Sequence, residues 1–228
     1  MQIIEAFPRP ICKFTWDKVN HEKLKKECYE IIHNKNYEQK NTRNFNLTHH
    51  FLFEKEYNNS KIKKNLQLLD NENFNEFKKW IEYNSVYFFT QVIGYDIGEH
   101  GVVVTECWLN VCDSGGKQYY HSHSNAFISG TYYVNYKKNL HSPLLFRSCS
   151  EYVDSKTPIL TLKTKNNTKY NAVLCQFDYE EGDLLLWESD MIHGYDENEN
   201  DDRISISFNV MPKYVSNGRY GFTVEKID

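Results

Sequence analysis

The chain has 228 residues and a formal net charge of −4, with 40% hydrophobic and 15% aromatic residues. This length and composition predict one domain with a real core, and the many Tyr and Phe residues favour a β-rich one. Acidic and basic residues are interleaved, so nucleic acid is not expected as a partner. With no leader pattern and no long apolar run, we expect a cytoplasmic protein that does not enter a membrane, with reduced cysteines.

The first hundred residues predict two helices. Asp17 can cap a helix that runs to Asn34, in which apolar residues recur at roughly helical spacing: Val19, Leu24, Cys28 and Ile31. A second helical pattern runs from Asn71 and ends at Gly94. The segment between them, Lys35 to Ser60, is polar, with a short candidate strand at His50 to Phe53.

After Gly101 the pattern changes to short strands separated by turn residues. The predicted strands lie near residues 102–112, 126–136, 143–148, 158–164, 170–178, 183–188, 203–212 and 219–226. About eight short, evenly spaced strands predict a sandwich or barrel of the jelly-roll kind. We therefore expect one mainly β domain over residues 1–228, in which 1–100 form helical support and 101–228 form the β core.

Histidines provide the first indication of chemistry. His121 and His123 stand two residues apart in "YYHSHSNAF", so both side chains point to one side of an extended chain. A histidine pair of this kind can bind one metal ion, although the motif alone has low specificity. A third histidine, His193, follows the apolar strand "DLLLW" that ends at Trp187.

Ten residues after His193, Arg203 opens a strand that alternates strictly between polar and apolar residues. Arg203, Ser205 and Ser207 share one face of that strand, and Ile204, Ile206 and Phe208 share the other. An arginine with a hydroxyl two residues on makes a good clamp for a carboxylate. The alternative interpretation is a solvated arginine at the edge of a half-exposed strand, with no ligand.

This order of motifs resembles the Fe(II)/2-oxoglutarate-dependent dioxygenases, and most closely an oxygenase family known largely from bacterial and phage genomes. The segments that carry the resemblance are "FPRPI" (Phe7 to Ile11), "WLN" (Trp108 to Asn110), "HSHSNAFISGTYYV" (His121 to Val134), "EGDLLLW" and "RISISFN" (Arg203 to Asn209). The resemblance implies a double-stranded β-helix and a hydroxylase that uses Fe(II), 2-oxoglutarate and O2. It names no substrate beyond a small molecule or a peptidyl side chain.

The resemblance implies a facial triad of iron ligands, with His121 first and His193 as the distal histidine. His123 stands where the family has an acidic residue, so three ligand sets remain open. The first is His121, His123 and His193; in the second, His123 takes the first position and Asn125 the acid position. The third set is completed by a distant carboxylate such as Asp190.

The same resemblance implies that Arg203 pairs with the distal carboxylate of 2-oxoglutarate and that Ser205 hydrogen-bonds it. Tyr133, on the polar face of its strand, and Asn110, on the preceding strand, are further cosubstrate candidates; Asn110 is equally consistent with a structural bond between strands. The rival hypothesis is a non-catalytic, cupin-like jelly roll that binds a divalent metal through the three histidines. A metal-binding protein of that kind would have no use for a strand in which Arg203 is followed two residues later by Ser205.

Overall fold

The computed structural model describes residues 2–3, 8–33, 45–47, 68–148 and 163–225. Two α-helices and several short helical turns accompany twelve strands in this part of the chain. The helices are α1 (Lys18–His33) and α2 (Asn75–Tyr87), the second continuing into a π-helical turn at Phe88–Val92. The strands are β1 (Ile11–Thr15), β2 (Phe45–Leu47), β3 (Val102–Cys112), β4 (Gln118–His121), β5 (Ile128–Asn135), β6 (Leu145–Arg147), β7 (Leu174–Gln176), β8 (Asp183–Glu188), β9 (His193–Tyr195), β10 (Arg203–Pro212), β11 (Tyr214–Ser216) and β12 (Gly221–Thr223).

The strands form three antiparallel sheets. The major sheet has the order β1-β8-β5-β10-β3-β2, the minor sheet has the order β4-β9-β6-β7, and β11 and β12 form a hairpin. Strand β10 lies inside the major sheet, paired with β3 on one side and β5 on the other. The first part of the chain contributes strands β1 and β2 to the major sheet as well as helices.

The apolar face of the major sheet packs against the helices. Leu24, Cys28 and Ile31 of α1 are buried at helical spacing, as the sequence predicts. They share one core with Ile204, Ile206 and other apolar residues of the sheet. Val19 is 80% exposed, so its predicted place on the buried face is wrong: the buried positions of α1 begin with His21.

The other face of the major sheet packs against the minor sheet. A second core joins Tyr133 and Trp187 of the major sheet to Phe146 and Tyr195 of the minor sheet. The rings of Phe146 and Trp187 meet edge to face at 5.2 Å between centroids. This inter-sheet layer is where the polar face of β10 lies.

Most long strands agree with their predicted positions, and most short ones do not. The spans predicted at 102–112, 183–188 and 203–212 are confirmed, and the span at 126–136 is confirmed as β5. The spans at 143–148, 170–178 and 219–226 shrink to three-residue strands, and the sequence does not predict β1, β2, β4, β9 or β11. The candidate strand at His50 to Phe53 and most of 158–164 lie outside the described residues.

Among the residues described, neither helix combines the length and the apolar character that crossing a bilayer requires.

Gly130 in β5 leaves room for the side chains of its two cross-strand neighbours, Phe208 on β10 and Leu186 on β8. This close contact gives a test of the apolar core. A Cβ atom built there would lie 2.5 Å from Cζ of Phe208 and 2.6 Å from Cδ2 of Leu186. Because both neighbours are fully buried, we expect Gly130→Ala to lower the free energy of unfolding by about 1–3 kcal/mol in urea denaturation. Adding Phe208→Leu, which makes room, should cost less than the sum of the two single changes; strict additivity would contradict this packing.

Candidate metal centre

The polar face of the major sheet is built from rows of cross-strand neighbours. Strand β10 provides the middle member of each row, and β3 and β5 provide the flanking members. The three rows are Glu106–Asn209–Ser129, Trp108–Ser207–Thr131 and Asn110–Ser205–Tyr133. Because side chains alternate along each strand, all nine point to the same inter-sheet layer. A cleft lined in part by Thr131, Ser207 and Trp187 opens above them.

Three histidines converge in this cleft. His121 ends β4 and is the cross-strand partner of His193, the first residue of β9. His123 follows β4, and its backbone N–H donates to the carbonyl of Ser189 at 2.8 Å. The ligand atoms of the three imidazoles all lie within 4.8 Å of one another.

Backbone carbonyls orient two of the rings. Nδ1 of His121 lies 2.8 Å from the carbonyl of Tyr119, and Nδ1 of His193 lies 2.8 Å from the carbonyl of Met191. A carbonyl only accepts, so each Nδ1 carries the proton and each Nε2 presents a lone pair. Nε2 of His123 lies 3.4 Å from Nε2 of His193. Two such nitrogens can face each other only with a proton or a cation between them.

Burial favours the neutral form of two of these imidazoles, those of His193 and His123. Desolvation, with a smaller effect from the nearby His121, lowers the pKa of His193 to about 3. The same two causes lower the pKa of His123 to about 4. A neutral imidazole is the form that binds a metal ion, so both rings are ready to bind at neutral pH.

Arg203 occupies the inter-sheet layer beyond the histidines. It is 1% exposed, and its guanidinium lies over the ring of Tyr195 at 4.0 Å, two residues beyond His193 on β9. The rings of Tyr133 and Tyr136 stand about 6 Å away. Nε donates to the carbonyl of Ser142 at 2.9 Å. No carboxylate among the described residues forms a salt bridge with Arg203.

The other predicted cosubstrate residues form one row beside Arg203. Ser205 lies between Asn110 and Tyr133, and all three are buried. Nδ2 of Asn110 donates to Oγ of Ser207 at 2.8 Å, whereas its Oδ1 has no hydrogen-bond partner among the residues that the structure describes. Burial raises the pKa of the Tyr133 phenol well above its usual value, so the hydroxyl stays neutral. Polar groups are thus available for a ligand.

Asn125 and Asp190, the third ligands of the two alternative sets, have partners of their own. Nδ2 of Asn125 donates to Oε2 of Glu106 at 3.3 Å. The side chain of Asp190 is 72% exposed and forms a salt bridge with Arg9, which also binds Glu188 at 3.1 Å. Among the His, Cys, Asp and Glu side chains of the described residues, His121, His123 and His193 form a group of potential metal ligands that does not include Asp190.

A second cluster, His21, Glu22 and Glu181, also groups potential metal ligands. Both ring nitrogens of His21 already have partners, the Tyr132 hydroxyl at 2.7 Å and Glu181 at 3.1 Å. Lys25 binds the same Glu181 oxygen at 2.7 Å. Because these partners satisfy one another, the cluster serves to attach α1 to the major sheet.

Three polar residues around His123 were missed in the sequence: Glu106, Ser189 and Asn209. Strand alternation was the available signal for two of them. Asn209 continues the polar positions of Arg203, Ser205 and Ser207, and Glu106 precedes Trp108 and Asn110 with the same parity. The contact of Ser189 with His123 depends on how β8 and the chain after β4 meet, which no local pattern predicts.

A family model described as "Putative 2OG-Fe(II) oxygenase" matches residues 106–209, the segment that contains every residue of this centre. The resemblance recognised in the sequence is thereby confirmed. No curated protein matches the sequence.

Solved structures show the same fold at very low identity. HygX from Streptomyces hygroscopicus, with nickel and 2-oxoglutarate bound, is 11% identical at a TM-score of 0.53, covering 90% of this chain and 83% of its own. A prolyl hydroxylase from Trichoplax adhaerens, in complex with a hypoxia inducible factor peptide, is 10% identical at a TM-score of 0.57, covering 89% of this chain and 83% of its own. The epimerase SnoN, in complex with Fe3+, alpha ketoglutarate and nogalamycin RO, is 7% identical at a TM-score of 0.57, covering 96% of this chain and 90% of its own.

The neutral, buried histidines predict a pH-dependent stability of the metal-free protein. In the unfolded chain they titrate near 6.5, well above their folded pKa values of about 3 and 4. As the pH falls below about 6.5, the unfolded state therefore binds protons that the folded state does not, and stability is lost. Above that pH the two residues do not make the free energy of unfolding depend on pH.

We expect the free energy of unfolding to fall between pH 7 and pH 4, with His193 contributing about 2–3 kcal/mol of the loss. Urea titrations across this range measure it. His193→Gln should flatten the slope, whereas His33→Gln, at an exposed histidine of α1, should leave it unchanged. An identical slope in His193→Gln and the unsubstituted protein would contradict the burial of a neutral imidazole.

Proposed function

We propose that this chain, whose residues 106–209 match the 2OG-Fe(II) oxygenase family, is an Fe(II)/2-oxoglutarate-dependent hydroxylase. It would couple decarboxylation of 2-oxoglutarate to hydroxylation of a small-molecule or peptidyl substrate. One observation carries the proposal: three imidazoles converge within 4.8 Å in the same inter-sheet layer as a buried arginine that forms no salt bridge with any carboxylate of the described residues.

The three histidines suit Fe(II). Neutral imidazoles are ordinary ligands of divalent iron, and three of them on one face leave three coordination positions free. His121 and His193 would bind through Nε2, since their Nδ1 atoms donate to carbonyls. His123 would bind as the third ligand, in place of the acidic residue that the family has there.

Arg203 suits a dicarboxylate cosubstrate. A fully buried guanidinium without an anionic partner carries a large desolvation cost, which a bound carboxylate offsets. Tyr195, which lies under Arg203, is about 7 Å along β9 from His193, the rise of two strand residues. We propose that the distal carboxylate of 2-oxoglutarate pairs with Arg203. Ser205, Tyr133 and Asn110 would add hydrogen bonds from the adjacent row.

When iron and 2-oxoglutarate are bound, they react with O2 and a C–H bond of the substrate to give succinate, CO2 and an alcohol. The chain itself supplies binding and orientation. The histidines hold the metal on one side of the cleft, Arg203 fixes the cosubstrate, and the aromatic rings of Trp108 and Trp187 keep water from the cleft. Each of these tasks depends on a residue of the inter-sheet layer.

We also propose that the fold is a single double-stranded β-helix domain with buttressing helices. Two antiparallel sheets with a shared core support this assignment. Strand β1 supports a single domain, because it pairs with β8 across the length of the chain. A cytoplasmic location belongs to the same proposal.

The rival function, a non-catalytic cupin-like metal binder, explains the histidines but not the burial of Arg203. A protein that only binds metal gains nothing from an unpaired guanidinium next to its metal site. Binding of 2-oxoglutarate therefore distinguishes the two functions.

Arg203 provides the test. We expect the Fe(II)-loaded protein to consume 2-oxoglutarate and release succinate slowly even without its substrate. Arg203→Ala and Arg203→Lys should raise the Kd for 2-oxoglutarate by at least about 100-fold, because a charge-assisted bidentate pair is lost or weakened. Isothermal titration calorimetry under anaerobic conditions measures this Kd.

Arg219→Ala, at a cation in the exposed turn between β11 and β12, is the matched control and should bind 2-oxoglutarate normally. Arg203→Lys keeps a buried cation, so it guards against a variant that fails to fold. Unchanged 2-oxoglutarate affinity in folded Arg203→Lys and Arg203→Ala, together with no succinate release, would overturn the proposal.

A further inference from the structure

We propose that Asn198 is a positioning residue for the cosubstrate, which acts through Ser142 to set the direction in which Arg203 presents its guanidinium. This inference rests on the proposed function, because it takes Arg203 to bind the distal carboxylate of 2-oxoglutarate. It assigns a role to a buried residue of the acidic loop between β9 and β10, in which most other residues are exposed.

Two contacts fix the guanidinium of Arg203. The ring of Tyr195 lies 4.0 Å from it and determines its plane. Nε donates to the carbonyl of Ser142 at 2.9 Å, which determines the rotation of the guanidinium within that plane. A carboxylate can pair with a guanidinium side-on, through Nε and one terminal nitrogen, or end-on, through both terminal nitrogens. Because the Ser142 carbonyl occupies Nε, the end-on pair remains for a bound dicarboxylate.

Asn198 fixes Ser142. Oδ1 of Asn198 accepts from the backbone N–H of Ser142 at 2.9 Å. The Ser142 hydroxyl donates to the carbonyl of Glu197, the preceding residue of the loop, at 2.8 Å. Pro143 follows Ser142 and favours extended backbone angles there. With its N–H, its hydroxyl and its backbone constrained, Ser142 directs its carbonyl at Arg203.

The amide of Asn198 can take only one orientation. Asn198 is 1% exposed, and its Nδ2 donates to the carbonyl of Cys112 at 3.0 Å. Its backbone bonds to Gly115 and Gly116 at 2.7 and 2.8 Å, which attaches the loop to the turn after β3. A carbonyl only accepts, so Nδ2 must face Cys112 and Oδ1 must face Ser142.

The sheet explains why a loop residue controls the arginine. Cys112 ends β3 and is the cross-strand partner of Arg203, the first residue of β10. Asn198 thus bonds both to the residue beside Arg203 in the sheet and to Ser142, whose carbonyl meets Nε. Without Asn198, Arg203 stays buried but is free to turn. The bound cosubstrate then has to order it, which weakens binding.

The test compares two 2-oxo acids in anaerobic titrations of the Fe(II)-loaded protein, with the visible absorption of the Fe(II) chelate reporting each Kd. Pyruvate has the same 2-oxo acid group as 2-oxoglutarate but no distal carboxylate. We expect Asn198→Ala to raise the Kd for 2-oxoglutarate by about 5–10-fold, the effect of ordering one long side chain on binding. The Kd for pyruvate should not change, whereas general damage to the cleft would raise both.

Asn200→Ala is the matched control. Nδ2 of Asn200 donates to the carbonyl of Leu140 at 2.6 Å, so it joins the same two segments through a different residue. It should leave both Kd values unchanged. Ser142→Gly is the milder variant: it keeps the N–H bond to Asn198, removes the hydroxyl bond to Glu197 and relaxes the backbone. It should raise the Kd for 2-oxoglutarate alone by about 3-fold.

Unchanged 2-oxoglutarate affinity in folded Asn198→Ala and Ser142→Gly would overturn this inference, and Ser142→Gly decides alone if Asn198→Ala does not fold. Equal losses for 2-oxoglutarate and pyruvate, or an equal loss in Asn200→Ala, would also overturn it. In each case weakened 2-oxoglutarate binding by Arg203→Lys would leave the proposed function standing. If Arg203→Lys bound 2-oxoglutarate as the unsubstituted protein does, the cosubstrate site itself would fail, and the role of Asn198 with it.

Discussion

The alternation of side chains along β10 is the constraint on which the rest of the structure depends. Its apolar residues face the helices, and its polar residues, from Arg203 to Asn209, face the minor sheet. Pairing with β3 and β5 extends that polar face into rows across three strands. A slip of one residue would exchange the two faces and remove the arginine, the serines and Asn209 from the inter-sheet layer together. Core packing therefore also maintains the site.

The minor sheet completes the centre because it carries His121 and His193, and His123 follows its strand β4. His121 and His193 are cross-strand partners, so their convergence follows directly from strand register. The loop before His193 supplies the carbonyls of Ser189 and Met191, which hold His123 and His193. Arg9, near the start of the chain, binds Glu188, the last residue of β8, and Asp190 in that same loop. A residue distant in sequence thus steadies two of the three imidazoles.

Sequence patterns predict the parts of this structure that depend on local periodicity. The strands β3 and β10, the apolar run of β8, the buried side of α1 and the shared face of Arg203 and Ser205 all follow from such local patterns. The three-residue strand β9 carries too few residues for a period to emerge. The tyrosine rings around Arg203, and the network around His123, are long-range contacts that only the pairing of strands creates. The same holds for the loss of Asp190 from the site, since its partner Arg9 lies 181 residues away.

An anaerobic crystal structure with Fe(II) and 2-oxoglutarate bound tests the central claim most directly, namely that one inter-sheet layer holds a three-histidine iron site and an arginine receptor for the cosubstrate. We expect Fe(II) bound by His121, His123 and His193, with the proximal end of 2-oxoglutarate on the metal and its distal carboxylate paired with Arg203. Iron bound by Asp190 or Glu106 in place of His123, or a distal carboxylate that does not contact Arg203, would contradict it.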